Sequence, residues 1–361
     1  MNQSFLTLPS LEKASLAGRR VLVRLDLDLP LDYHGHGGDL FRLKTALPTL
    51  KKCLSEAAGV VLIGHRGRPQ GRDTKLSLKP IAEELGRLLN HPIIFVENFV
   101  KLRGVKSEKS GEKLLNLVML ENLRFWPGET GADPEFVNKL AVLGDLFVNE
   151  SFASAHRQSA SATSLPRRLP TVFGYRFLQE VAAVERVFHS PARPVVVVLG
   201  GAKADKLDYL PGLLKIADQV LLGGALPRLN QLTNPRLVTA ELGSDGLDIS
   251  PASRDQFAKL ISEAGTVIWN GPMGKFEDGS HMAGTEAVAK AVAAASGFTL
   301  VGGGDTQAAL AKLKLTDKIK HLSTGGGALM EFLSLGTLAA IEAVRPRESS
   351  RAVSIMTSDE R

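Results

Sequence analysis

Four glycine-rich turns in the C-terminal half carry the residues best suited to chemistry. They are Leu199-Gly200-Gly201-Ala202-Lys203, Trp269-Asn270-Gly271-Pro272, Val301-Gly302-Gly303-Gly304-Asp305-Thr306 and Ser323-Thr324-Gly325-Gly326-Gly327. Each follows an apolar run or precedes a helix-like segment. Glycine lets backbone N–H groups come close to an anion, and a helix N-terminus adds partial positive charge. With Lys203, Lys206 and Asp305 among them, the turns imply a phosphate-handling site with a carboxylate suited to a metal ion. Taken singly, each turn is as readily a structural bend, each lysine a solvated surface cation and Asp305 a helix N-cap. Their concentration in one half is the informative fact.

The N-terminal half carries a second constellation. Arg42, His65, Arg68, Arg124 and Arg157 stand beside strand ends or turns, and Asp26 and Asp28 follow the first strand pattern. A guanidinium binds phosphate or carboxylate oxygens with a planar fork, and carboxylates accept hydrogen bonds from hydroxyl groups. Such a set suits a small molecule with phosphate, hydroxyl and carboxyl groups. Any one arginine is explained by a surface ion pair, so the set has meaning only if it converges.

Both sets need elements that bring them to one edge. Strand patterns fall at Val21–Leu25, Val60–Gly64, Ile93–Val96, Leu117–Leu120, Asp145–Val148, Val195–Leu199, Gln219–Leu222, Thr266–Trp269 and Thr299–Val301. Helix patterns lie between them, at Leu78–Leu89, Pro134–Leu143, Gly284–Ala295 and Gln307–Leu313. Continuous apolar strands alternating with helices predict parallel sheets covered on both faces. The expected fold is α/β, two doubly wound Rossmann-like domains, in which the loops after the strands share one edge. A length of 361 residues agrees with two domains. The divisions fall at residues 1–175 and 190–334, with a connecting helix over 176–189.

Composition narrows the class. No apolar run approaches the ~18 residues of a membrane span, and the N-terminus lacks the pattern of a signal peptide. The single cysteine, Cys53, forms no intramolecular disulfide and suits the cytoplasm; burial on a helix is its expected fate. The net charge of +6 lies wholly in residues 1–180, since residues 181–361 balance at 19 basic and 19 acidic side chains. That excess suits a small anionic ligand. The basic residues are too dispersed, and stacking aromatics too few, for nucleic acid.

The chain resembles phosphoglycerate kinases over roughly residues 18–344. The resemblance rests on Val23-Arg24-Leu25-Asp26, Phe41-Arg42-Leu43-Lys44-Thr45, His65-Arg66-Gly67-Arg68-Pro69, Glu121-Asn122-Leu123-Arg124-Phe125, Ala155-His156-Arg157, Gly200-Gly201-Ala202-Lys203, Trp269-Asn270-Gly271-Pro272-Met273-Gly274, Gly302-Gly303-Gly304-Asp305-Thr306 and Ser323-Thr324-Gly325-Gly326-Gly327. It implies a hinged, monomeric glycolytic enzyme that moves a phosphoryl group between 1,3-bisphosphoglycerate and ADP, giving 3-phosphoglycerate and ATP, with Mg²⁺. Carried over, Asp26, Asp28, Arg42, His65, Arg66, Gly67, Arg68, Arg124 and Arg157 hold the three-carbon acid. Gly201, Lys203, Lys206, Gly224, Asn270, Glu277, Gly303, Gly304, Asp305 and Thr306 hold the nucleotide, with Glu277 on the ribose hydroxyls and Asp305 on Mg²⁺. Arg42, Lys206 and Gly326 serve the transferring group. The segment of about 335–361 returns to the first domain.

Several features depart from that family. Asp28 stands where asparagine is usual, and a carboxylate beside an anion repels it unless hydrogen-bonded or protonated. The Lys203–Lys206 spacing is one residue short. The stretch from Gly224 to Gly246 is abbreviated, so part of the adenine wall is missing and weaker or less selective nucleotide binding is expected. Glu150-Ser151 replaces Asp-Ala, and Ser159 stands where a histidine is common. The shortened lysine turn and the abbreviation after Gly224 motivate one rival, a catalytically silent relative that still binds phosphoglycerate or a partner.

Overall fold

The computed structural model describes residues 7–29, 40–99 and 117–345. Within them, β-branched and leucine runs form strands buried on both faces. The first sheet holds β1 (Arg20–Arg24), β2 (Gly59–Ile63), β3 (Ile94–Val96), β4 (Leu117–Leu120), β5 (Leu146–Asn149) and β6 (Thr171–Phe173), ordered β3-β4-β2-β1-β5-β6. The second holds β7 (Val195–Leu199), β8 (Gln219–Leu222), β9 (Leu237–Thr239), β10 (Thr266–Asn270), β11 (Phe298–Gly302) and β12 (His321–Leu322), ordered β12-β11-β10-β7-β8-β9. Both sheets are parallel throughout. The period-2 alternation of a strand gives each sheet two cores. Val195, Val197 and Leu199 face one apolar cluster, while Val196 and Val198 face another.

Helices α1 (Phe41–Glu56), α2 (Lys79–Leu89), α3 (Pro134–Ala141) and α4 (Tyr175–His189) flank the first sheet and leave it; α5 (Leu210–Ile216), α6 (Pro251–Ser262), α7 (Ala283–Ala294), α8 (Gly304–Lys312) and α9 (Gly326–Leu335) serve the second. Their ends follow local chemistry. Asp133 caps α3 by accepting from the Phe136 N–H at 2.9 Å, and Asn90 closes α2 in the left-handed region. Cys53 is buried on α1. The connecting helix starts at Tyr175, one residue before the expected 176, and buries Phe177 in its first turn.

That early start has a tertiary cause. Gly174, at the N-cap of α4, has no side chain to satisfy the first N–H groups, and Glu150, just past β5, supplies the missing acceptor. Its carboxylate takes the Arg176 N–H at 3.1 Å and the Thr49 hydroxyl at 2.7 Å. A side chain on Gly174 would collide with Glu150. The residue that departs from the family pattern is therefore the distant cap of the connecting helix.

Past α9 the chain returns to the first half. The Ala340 N–H donates to the Ala155 carbonyl at 2.9 Å, and Leu338, Ala340 and Ile341 join Phe152, Phe177 and Phe332 in one core. The first six residues and everything after Arg345 lie outside the described residues. Strands β6, β9 and β12, which are not among the strand patterns above, are sheet-edge strands of two or three residues each.

Candidate active site

In each sheet the chain order reverses at the first strand. β1 lies between β2 and β5, and β7 lies between β8 and β10. Such switch points open a crevice beyond the C-terminal strand ends. Asp26 and Asp28 follow β1, and the Gly200–Lys206 turn follows β7, so both crevices carry the residues that the sequence singles out.

On the first side, Arg42 sits in the opening turn of α1. Its Nη1 donates to the Asp28 carbonyl at 2.7 Å and stands 3.4 Å from Asp26 Oδ1. The other oxygen of Asp26 is buried and has no hydrogen-bond partner among the described residues. Burial pushes the Asp26 carboxyl up, with Arg42 opposing. Asp28 directs a carboxylate oxygen to the Gly67 N–H at 2.8 Å, the hydrogen bond that a carboxylate in this position requires. His65 is buried, and burial together with the surrounding arginines holds its pKa well below the ordinary value. The neutral ring adds no charge to this crowded cluster.

Arg66 does not line the cleft. Its guanidinium donates to the carbonyls of Leu29 at 3.1 Å and Lys75 at 3.0 Å, and Asn122 brackets its backbone. It buttresses the Gly67 turn, whose carbonyl in turn accepts from Arg124.

On the second side, a 3₁₀ helix over Ala204–Tyr209 takes up the shortened Lys203–Lys206 turn. The tighter winding keeps Lys206 pointing inward, where Nζ donates to the Gly200 carbonyl at 2.7 Å. Burial lowers its pKa to about 8, against the pull of Asp305 and Asp205. Gly271 has φ +101°, and a side chain there would strike the Gly200 carbonyl. The backbone N–H groups of these turns are largely engaged. Gly201 donates to the Pro272 carbonyl at 2.8 Å and Gly224 to Met273 at 3.1 Å.

Gly303, at φ +99°, is the N-cap of α8; Asp305 is not, and lies exposed in the first turn instead. Thr306 is buried and accepts the Gly271 N–H at 2.7 Å, so it ties two turns together. Asn270 Nδ2 donates to the Gly326 carbonyl at 3.1 Å. Glu277 is exposed on a 3₁₀ turn, Phe276–Asp278.

Side chains from both halves line one cavity of about 280 Å³. Asp26, Asp28, Arg42, His65, Arg68 and Arg157 face Lys203, Lys206, Asn270 and Gly326 across it. Arg66, Gly67, Arg124, Gly201, Gly224, Glu277 and the Gly303–Thr306 turn lie outside that lining. Six residues without an assigned role join it: Ala153, His156, Asp205, Tyr209, Gly327 and Met330. His156 was legible as the neighbour of Arg157 in the Ala155-His156-Arg157 segment. Burial beside Arg157 lowers its pKa to about 4. Ser159 lies elsewhere, donating to Glu129 at 2.9 Å.

The connecting helix steadies the last glycine turn. Glu180 accepts from the Thr324 N–H at 2.7 Å and from Arg176. Burial pushes its carboxyl up, but His321 and Arg176 outweigh burial and hold it at about 2. Arg176 also covers the ring of Phe41, the residue before Arg42.

Comparison with known proteins agrees with this architecture. The family model described as phosphoglycerate kinase matches residues 11–234 and 228–335. Its two matches meet where the chain is abbreviated. A phosphoglycerate kinase of Herpetosiphon aurantiacus is 35% identical over 386 aligned positions, covering 92% of this chain and 97% of that protein. One of Thermomicrobium roseum is 38% identical over 370 positions, covering 87% and 93%. Among solved structures, phosphoglycerate kinase from Coxiella burnetii superposes with a TM-score of 0.75 at 30% identity, covering 93% of this chain and 98% of that one. The enzyme from Pyrococcus horikoshii gives 0.80 at 27% identity over the same shares. Since sequence and fold match along nearly the whole length of both partners, this chain belongs to the phosphoglycerate kinase family.

Proposed function

We propose that the chain catalyses reversible phosphoryl transfer between 1,3-bisphosphoglycerate and ADP, giving 3-phosphoglycerate and ATP. The observation that carries this reading is the single cavity with Arg42, Arg68 and Arg157 on one wall and Lys203 and Lys206 on the other. Five cations against Asp26, Asp28 and Asp205 leave an excess of positive charge, as two phosphorylated ligands require.

Phosphoryl transfer needs in-line placement and cancelled charge on the equatorial oxygens more than covalent help. Asp26 and Asp28 accept from the hydroxyl of the three-carbon acid, while Arg68 and Arg157 hold its phosphate. Arg42 and Lys206 approach the transferring group from opposite sides, and the first N–H groups of α9, at Gly326 and Gly327, supply fixed dipoles. Because the two ligand sets sit on different sheets, the halves close over the bound pair, which also excludes water from an acyl phosphate.

Among the described residues, no group of three His, Cys, Asp or Glu side chains is arranged to hold a metal unaided. The exposed Asp305, close enough to Lys206 to influence its charge, fits a Mg²⁺ ion that arrives with the nucleotide and is ligated mainly by phosphate and water oxygens. When bound, that ion neutralises charge on the nucleotide phosphates. Glu277 accepts from the ribose hydroxyls. The shortened lysine turn was one of the two reasons to consider a silent relative, and Lys206 still faces the cavity.

A coupled assay with 3-phosphoglycerate, ATP and Mg²⁺ tests the proposal. Turnover that disappears in Arg42→Ala is the expected result. A folded protein with no turnover at millimolar substrates would refute it.

A further inference from the structure

The abbreviated stretch after Gly224 ends in a closed hairpin. Leu242 bridges Ile249 in antiparallel fashion, and the Gly243 N–H donates to the Asp248 carbonyl at 2.9 Å. This hairpin is fastened to the segment that carries Glu277. The Lys275 N–H donates to the Leu247 carbonyl at 2.9 Å, and the Asp248 carboxylate accepts the Gly284 N–H at 2.8 Å.

One side chain closes the remaining gap. His281 Nδ1 lies 2.8 Å from Asp278 Oδ2, and its Nε2 lies 2.9 Å from Asp245 Oδ2. Asp278 adjoins Glu277, and Asp245 sits in the hairpin. Both ring nitrogens face acceptor-only carboxylates, so the ring makes both bonds only when doubly protonated. Other charged groups near the clasp are Lys275, 3.8 Å from Asp278, Glu277, which adjoins Asp278, and Asp248, which holds the Gly284 N–H; Arg228 packs against Gly246.

We infer that His281 is a positioning residue that clasps the 243–248 hairpin to the Phe276–Asp278 turn, fixing Glu277 for the nucleotide's ribose in place of the wall this chain lacks. The inference rests on the proposed role of Glu277. Its physical basis is preorganisation: a free turn must be ordered at the moment of binding, at a cost in affinity. The two carboxylates raise the pKa of His281. A raised histidine contributes fully below its ordinary range and is lost as pH climbs through the raised value. The clasp is therefore strongest in mild acid and opens in base.

The test uses the full chain and three variants, His281→Gln, Asp245→Asn and Glu277→Ala, assayed from about pH 6 to 9. In mild acid, the first two are expected to raise KM for ATP about two- to fivefold, the range exposed ion pairs allow. KM for 3-phosphoglycerate and kcat stay unchanged. With rising pH the ratio of the variants' KM for ATP to the wild-type value falls towards one, whatever both values do as Lys206 loses its charge. If both variants match wild type at every pH while Glu277→Ala raises KM for ATP, the clasp is overturned and the role of Glu277 stands. If Glu277→Ala has no effect either, the ribose assignment fails and the inference with it. A parallel shift of both KM values and kcat, with a lower Tm, overturns it in favour of a purely structural role.

Discussion

A methyl group on Gly326 would lie 2.7 Å from the Cα of Gly303. Two glycine turns, one after β11 and one after β12, thus pack backbone to backbone beneath the cavity, with Asn270 Nδ2 only 3.2 Å from the same point. Overpacking of this kind costs about 1–3 kcal/mol, and here the displaced backbone lines the cavity where the proposal places the transferring group. Gly326→Ala is expected to reduce kcat more than tenfold, on the order expected when an aimed backbone donor is misplaced. Its Tm should fall by only a few degrees. Steady-state kinetics beside a melting curve check both; an unchanged kcat removes the Gly326 N–H from the mechanism.

Arg42 joins substrate chemistry to the charge state of Asp26, 3.4 Å away. On the proposed mechanism, replacing it with alanine removes a cation aimed at the transferring group, a loss expected to be worth roughly 10³–10⁵ in rate. It also removes the main opposition to burial at Asp26, whose pKa should rise further. Single-turnover rates and nucleotide affinity together test this. Rate should collapse while ATP binding, measured by calorimetry, changes modestly.

Lys206, with a pKa near 8, should impose a limit in base. The lowered value means that the free enzyme loses this cation as pH rises through about 8. We expect kcat/KM for the nucleotide to decline above that point. Arginine stays charged throughout, so Lys206→Arg should lack the decline even if its rate is lower. A pH profile of kcat/KM for both proteins decides the matter.

Glu150 should make stability depend on pH in the unusual direction. Burial raises its carboxyl from 4.5 to about 7, although Thr49 and the α4 N–H groups favour the charged form. Between those values the folded chain holds a proton that the unfolded chain releases, so stability falls as pH rises. The penalty is roughly 3 kcal/mol at most above pH 7. Glu150→Gln keeps an acceptor for Thr49 and should flatten that slope, matching wild type near pH 4.5 and exceeding it at pH 8. Urea titrations across this range would reveal it.

Asp305→Ala should raise the Mg²⁺ concentration needed for half-maximal turnover, and weaken Mg²⁺-dependent ADP binding by calorimetry. Phosphoglycerate binding should be untouched. Equal Mg²⁺ dependence in the two proteins would contradict the assignment of Asp305.

Much of this was readable in the chain itself. Long strands such as Val195–Leu199 and Thr266–Asn270 are buried on both faces, so their apolar runs mark a parallel sheet without further information. Glycine turns at strand ends and arginines beside them named both walls of the cavity, because phosphate chemistry needs those residue types wherever they sit. Local sequence carried less about short edges and about side chains whose partners lie far away. β12 has two residues, His321 and Leu322, and exists because Leu300 and Val301 pair with it. Arg66 and Arg68 look alike in sequence, yet one is bound to the carbonyls of Leu29 and Lys75 and the other lines the cleft. Glu150 reaches across from β5 to cap α4, and His281 bridges Asp245 and Asp278, 36 and 3 residues away. Composition and periodicity report what a residue is and which face it takes. Which arginine is spent on backbone, and which histidine becomes a clasp, depends on long-range contacts that only the folded chain brings within hydrogen-bond distance.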